Sequence, residues 1–231
     1  MTKRVISVFL CVLCVISSIS FIVSAKENKE YTSDNFLSVA DGIIAWKKAD
    51  NGSEPDGYLI NDKYLENAGT TPGDWYPIAL GRLGIQDNNE GYLAVIKDRV
   101  EERYRESGRL SAAKATEWHR IALAVLAMGG DPTNFGTDEN GAPINLIADG
   151  TYDRGKTTPL GRQGINGWIW GLITLDSMRY AVHDGAYNTR DDIIVEIISK
   201  QLSDGGFALS SDDADPDITA MAITALAPYY N

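Results

Sequence analysis

The sequence predicts an all-α protein made of helical hairpins, and two observations carry that reading. The first is a repeat: GDWYPIALGRLG from Gly73, TEWHRIALAVLA from Thr116, INGWIWGLITLD from Ile165 and PDITAMAITALA from Pro216. In register, each copy has an acid or amide near its start (Asp74, Glu117, Asn166, Asp217) and Ala or Gly five residues on (Ala79, Ala122, Gly171, Ala222). Each ends on Leu83, Leu126, Leu175 or Leu226. The copies begin 43, 49 and 51 residues apart, and units of that kind bury their apolar faces only by stacking on neighbours. The second observation is an alternation of helix types. Helices apolar on one side alternate with the repeats, which are apolar almost all round. A one-sided helix faces water and an all-round one is enclosed, so two concentric layers follow, as in an α/α barrel.

The elements are expected in this order. The segment 33–49 is an outer helix with a stripe of Phe36, Val39, Ala40, Ile43 and Ile44, and 73–84 is its inner partner. An outer helix at 90–107 turns Tyr92, Ile96, Val100 and Tyr104 inward and Lys97, Asp98, Glu101, Glu102 and Arg105 outward; 112–128 is inner. The short apolar run at 143–149 reads as a reduced outer helix before the inner helix 165–182. The last pair is 190–202, with Ile193, Ile194, Ile197 and Ile198 inward, and 216–229. Thr189 followed three residues later by Asp192 resembles a capping box. The stretches 51–57, 129–143, 150–164 and 203–216, rich in Gly, Pro, Asp and Asn, carry turn chemistry. The small residue five positions into each repeat lets inner helices approach closely, because overpacking such a site costs about 1–3 kcal/mol.

Residues 1–25 read as an export signal: Lys3 and Arg4, an apolar run from Val5 to Val23, and a small-residue exit at Ser24 and Ala25. A retained membrane anchor is the alternative, since a span needs roughly 20 residues. Both cysteines, Cys11 and Cys14, lie inside this segment, and Leu13 occupies the position where a lipoprotein signal needs a small residue. Cleavage leaves a chain with no thiol, a short polar leader at 26–32 and a repeat domain at 33–231. Loss of Lys3 and Arg4 leaves 19 basic side chains against 32 acidic ones, a net charge of −13. Such a surface repels phosphate backbones, which argues against nucleic acid as a partner.

Lys200, Gln201, Asp204, Gly205, Gly206 and Phe207, followed by DPDITAMAITAL from Asp215, resemble the prenyltransferase and squalene oxidase repeat of the terpenoid cyclase superfamily. From Lys114 to the end, through TEWHRIALAVLAMGGDPTNFG, NLIADGTYD and QGINGWIWGLITLD, the chain is similar to exported Gram-positive bacterial proteins of that group. The resemblance implies an α/α toroid, normally of six hairpins. About four are visible here, which implies an incomplete ring and a chain that is a fragment of a longer product. More distantly, the chain is similar to the transcobalamin-type toroids, which bind a corrinoid at one end of the barrel.

The candidate catalytic segment is Asp215-Pro216-Asp217-Ile218-Thr219-Ala220. Class II terpene cyclases carry D-x-D-D-T-A there, and the resemblance implies Asp217 as proton donor and Asp215 as the first acid. Ile218 replaces the last acid. A lone Asp at a helix start is stabilised as carboxylate by the backbone amides and dipole, and the acid or amide in every copy is explained by N-capping worth about 0.5–2 kcal/mol. Zinc of the prenyltransferase kind is excluded by the absent cysteine, with His119 and His183 in different repeats. Asp212, Asp213, Asp215 and Asp217 suggest calcium or, more simply, a solvated acidic loop. Trp75, Tyr76, Trp118, His119, Trp168 and Trp170 stand at the starts of inner helices, where they either pack the core or, with Asp217, line a binding cavity at the barrel mouth. Arg82, Arg120 and Arg162 read as surface or cap partners.

Three functions are compatible with the sequence. The first is an exported, non-catalytic toroid module binding a small apolar or corrinoid-like ligand, or a partner, at the barrel mouth. The second is a terpene cyclase or prenyltransferase acting on a polyprenyl substrate, with Asp217 as acid or with Asp215 and Asp217 holding Mg²⁺. The third is a structural spacer of a cell-surface protein. No cofactor is specified.

Overall fold

The computed structural model describes residues 32–154 and 159–230. The expected export signal (1–25) and all of the leader except Thr32 lie outside the described residues. Every regular element among the described residues is helical, and the sole β feature there is an isolated bridge between Thr137 and Pro143. The α helices are α1 (Ser33–Asn51), α2 (Asp62–Leu65), α3 (Thr71–Leu83), α4 (Asn89–Ser107), α5 (Thr116–Ala127), α6 (Leu146–Gly150), α7 (Ile165–Asp176), α8 (Arg190–Ile198) and α9 (Pro216–Leu226). None of them is long and apolar enough to cross a membrane.

The chain forms two units, Met1–Lys47 and Lys48–Asn231. In the first, α1 buries no residue, and Phe36, Val39 and Ile43 of its stripe are exposed, as is Trp46 beside them. The period of apolar residues fixes an amphipathic helix; it does not supply the surface that covers it.

In the second unit the chain-local chemistry explains each boundary. Helix α2, unforeseen in the sequence, starts where the Asn61 side chain accepts from the Tyr64 N–H at 2.9 Å. The turn before it is pinned by Asp87, whose carboxylate accepts from the backbone N–H groups of Leu59 and Ile60 at 2.9 and 2.8 Å. Helix α3 contains Pro77, which cannot donate to the Gly73 carbonyl four residues back. The Tyr64 hydroxyl donates to that carbonyl instead, at 3.0 Å. Gly73 is required here, since a Cβ would land on the Asn67 carbonyl oxygen. Asn88 caps α4, Gly108 ends it in the left-handed region, and Tyr92, Ile96, Val100 and Tyr104 are buried as expected. The Arg99 guanidinium on the same helix donates to the carbonyls of Ala68 and Glu66, closing the end of α2. Helix α7 stops at Asp176, short of the expected 182, because Arg179 takes φ 53° and the Tyr180 N–H returns to the Leu175 carbonyl at 2.9 Å. Thr189 and Asp192 do form a reciprocal capping box on α8.

The four repeat helices pack in chain order, α3 against α5, α5 against α7 and α7 against α9. Helix α6 lies against α5 and α7, and α8 against α7. Leu80, Ile121, Leu172 and Leu175 sit in this core with no more than 1% exposure. The small-residue expectation holds for Ala122, Gly171 and Ala222, all buried, but not for exposed Ala79. On α3 that task falls to Gly81, whose Cβ would collide with the Ala127 carbonyl at the end of α5. The last copy is the least covered. Ile223, in register with buried Leu80 and Leu172, is 61% exposed.

Candidate functional site

The acid that opens the first repeat does not cap its helix. Thr70 is the N-cap of α3, and Asp74 lies inside that helix with no solvent exposure. Its carboxylate accepts from the Gly69 N–H, the Tyr92 hydroxyl and Arg120 Nε, each at 2.7 Å. Arg120, on α5 and 6% exposed, uses its remaining donors on Glu117 (2.9 Å from each nitrogen, a two-pronged grip), the Thr71 hydroxyl (3.2 Å) and the Gly69 carbonyl (3.2 Å). Arg103 on α4 stands 3.5 Å from the same Glu117. One guanidinium thus ties α3, α5 and the turn before α3 together.

The charge balance follows from this wiring. Burial pushes the Asp74 carboxyl upward, against the pull of Arg120 and Tyr92. Burial would lower the Arg120 guanidinium, but the Glu117 and Asp74 carboxylates more than reverse it and hold the cation. Glu117 is raised by burial and pulled further down by Arg120, ending below the ordinary glutamate value. The Tyr92 phenol is driven up by burial and by the carboxylate it donates to.

Arg120 and Glu117 of this clamp line a cavity of about 210 Å³ at the N-terminal ends of α3, α5 and α7. Trp75 and Trp170 form one wall, with ring centroids 5.6 Å apart and planes at 57°. Lys114, Glu117 and Arg120 supply charge, and Thr116, Gln163 and Asn166 supply uncharged polar groups. Gln163 Oε1 is held by the N–H and hydroxyl of Thr116, at 3.3 and 3.1 Å. Asn166 Oδ1 is buried without a hydrogen-bond partner among the described residues.

The six aromatic residues expected at a rim separate into two groups. Trp75 and Trp170 reach the cavity. Tyr76 meets Tyr64 edge to face at 6.4 Å, and Trp168 lies over Gly161, where a Cβ would strike its indole nitrogen. Trp118 is fully buried, donating from its indole N–H to the Tyr104 hydroxyl at 2.8 Å, which donates in turn to Asp149 at 2.7 Å. The Arg154 guanidinium lies 3.9 Å from the Trp118 ring centroid, and burial lowers it to about 10. His119 is 1% exposed. Its Nε2 is 2.7 Å from the Gly150 carbonyl, so Nε2 carries the hydrogen, and burial depresses the ring to about 4.

Asp215, not Asp217, caps α9, accepting from the N–H groups of Asp217 and Ile218 at 2.8 and 2.9 Å. Asp217 is exposed. Asp215→Ala is therefore expected to cost about 1 kcal/mol of stability and Asp217→Ala much less, a difference that paired urea denaturation curves would resolve. No group of three or more potential metal ligands occurs among the described residues. Asp212, Asp213, Asp215 and Asp217 are exposed.

The capping expectation is thus corrected for the first three copies as well. Asp74 and Glu117 serve the clamp, and α7 starts at Gly164 with no side-chain cap from Asn166. Arg120 was expected at the surface and is buried. Its sequence signal was an arginine in an otherwise apolar helix, three residues after a glutamate. Lys114 and Gln163 carried no such signal: Lys114, expected inside the helix 112–128, precedes α5, which starts at Thr116, and Gln163 ends a 3₁₀ turn at Leu160–Gln163 in a stretch read as a loop. No protein-family model, curated protein or solved structure matches this chain.

Proposed function

We propose that this chain is an exported, non-catalytic α/α-toroid module that binds a ligand at the rim where its inner helices begin. The observation that supports the reading most directly is the cavity formed by Trp75 and Trp170 over the Asp74–Arg120–Glu117 clamp. Binding sites join apolar walls to a few fixed polar groups, and the clamp fixes two of them. The toroid arrangement is supported by the packing of α3, α5, α7 and α9 in chain order with α6 and α8 against them.

The cyclase alternative draws less support. Its acid, Asp217, is exposed and remote in sequence from the cavity-lining residues, whereas an acid that protonates an alkene must be held away from water. A corrinoid, the ligand implied by the transcobalamin resemblance, is larger than a 210 Å³ cavity and would rest on the rim with one substituent inside. Titration of the chain with cobalamin, followed by tryptophan fluorescence, tests this form. Saturable quenching at micromolar ligand that disappears in Trp75→Ala is the expected result. Quenching that is unchanged in that variant would move the site away from the rim. A spacer would show no saturable response to any ligand.

A further inference from the structure

The cavity walls restrict the chemistry of what they hold. At about 210 Å³ the space falls below the roughly 300–1,000 Å³ of a pocket for a drug-sized molecule. It suits one small ring. Two indoles present flat apolar surface with an electron-rich face, so the guest needs an apolar face of its own, with C–H edges to meet them.

The polar groups ask for donors as well as acceptors. The Glu117 carboxylate lines the space as an acceptor, beside the donors Lys114 and Arg120. An anion such as phosphate brings more negative charge to Glu117, so it fits poorly. A quaternary ammonium brings no donor, and it would face Lys114 and Arg120. A neutral polyhydroxylated ring satisfies each demand: hydroxyls donate to Glu117, accept from Lys114 and the Gln163 amide, and leave a C–H face for Trp75 and Trp170. The Gln163 amide is already oriented, because its oxygen is held by Thr116.

We propose that the rim cavity is a saccharide site that takes one neutral, hexose-sized ring; the proposal rests on the reading of the rim as the ligand-binding surface. Saturation-transfer NMR on the full chain tests it, with glucose, galactose and N-acetylglucosamine as free sugars and as short β-linked oligomers, beside inorganic phosphate and choline chloride. The expected result is transfer to the C–H protons of at least one sugar, with affinity falling about tenfold or more in Trp75→Ala and less in Trp170→Phe, which keeps a ring. Circular dichroism matching the parent chain would show that Trp75→Ala, a substitution at a 42% exposed position, has kept the fold. A Trp75-dependent response to phosphate or choline with silence from every sugar overturns the saccharide assignment and leaves the rim as a binding surface. Sugar binding that is equal in parent and Trp75→Ala overturns the assignment of the cavity itself. Silence from all probes overturns the saccharide proposal, while the cobalamin titration decides the rim reading separately.

Discussion

Arg120→Leu is expected to destabilise the chain by about 3–5 kcal/mol, the range for removing one partner of a buried ion pair. The leucine would leave Asp74, which has no solvent exposure, as a carboxylate in an apolar interior with only the Tyr92 hydroxyl and the Gly69 N–H as donors. It would also strip Glu117 of its two-pronged partner and leave the Gly69 carbonyl with one donor fewer. Urea denaturation of the two proteins measures the difference. Adding Asp74→Asn to the leucine variant should recover part of the loss, because an amide carries no charge to strand. A loss below about 1 kcal/mol, the level of a surface ion pair, would mean that the clamp does not hold α3 to α5.

The second large effect is on the pH dependence of stability. Burial holds His119 near 4 in the fold against 6.5 for an ordinary histidine. Between those values the unfolded chain binds a proton that the folded chain refuses, so stability rises with pH through this window. The contribution is complete above the ordinary histidine value and is lost as pH falls through about 4. Its size is about 3 kcal/mol between pH 7 and pH 4. Glu117, held low in the fold, acts in the same sense at lower pH. Asp74, pushed up by burial, acts in the opposite sense. The histidine part is separated by His119→Gln, whose amide can still donate to the Gly150 carbonyl but does not titrate. Urea midpoints measured from pH 4 to 7 should slope less in that variant. Identical slopes would exclude His119 as the source.

The helices were legible because their periods are strong. Tyr92, Ile96, Val100 and Tyr104 recur every four residues, and all four are buried. The boundaries were less so, since they depend on bonds between distant residues. Pro77 within α3 is tolerated because Tyr64 donates where the proline cannot, and no local pattern announces that exchange. The end of α7 rests on one left-handed arginine, an unusual choice where glycine is the common one. The site was half legible. The rule that picks aromatics near helix starts selects Trp75 and Trp170, which line the cavity, together with Trp118 and His119, which are buried in the core. Asp74, which the alignment of the repeats puts at a helix start, lies four residues past Thr70, the residue that caps α3. Capping and burial draw on the same residue types, so only the position of Arg120 across the interface decides between them.

The clamp beneath the cavity also determines how occupancy would be felt. Glu117 and Arg120 line the space above and fasten two helices below, so a guest that engages them is coupled to the folding equilibrium. A guest bound by the folded chain alone, at one hundred times its dissociation constant, adds about 2.7 kcal/mol to the resistance against unfolding. Melting curves recorded across a collection of small molecules would then rank guests directly, with neither a label nor an enzymatic readout.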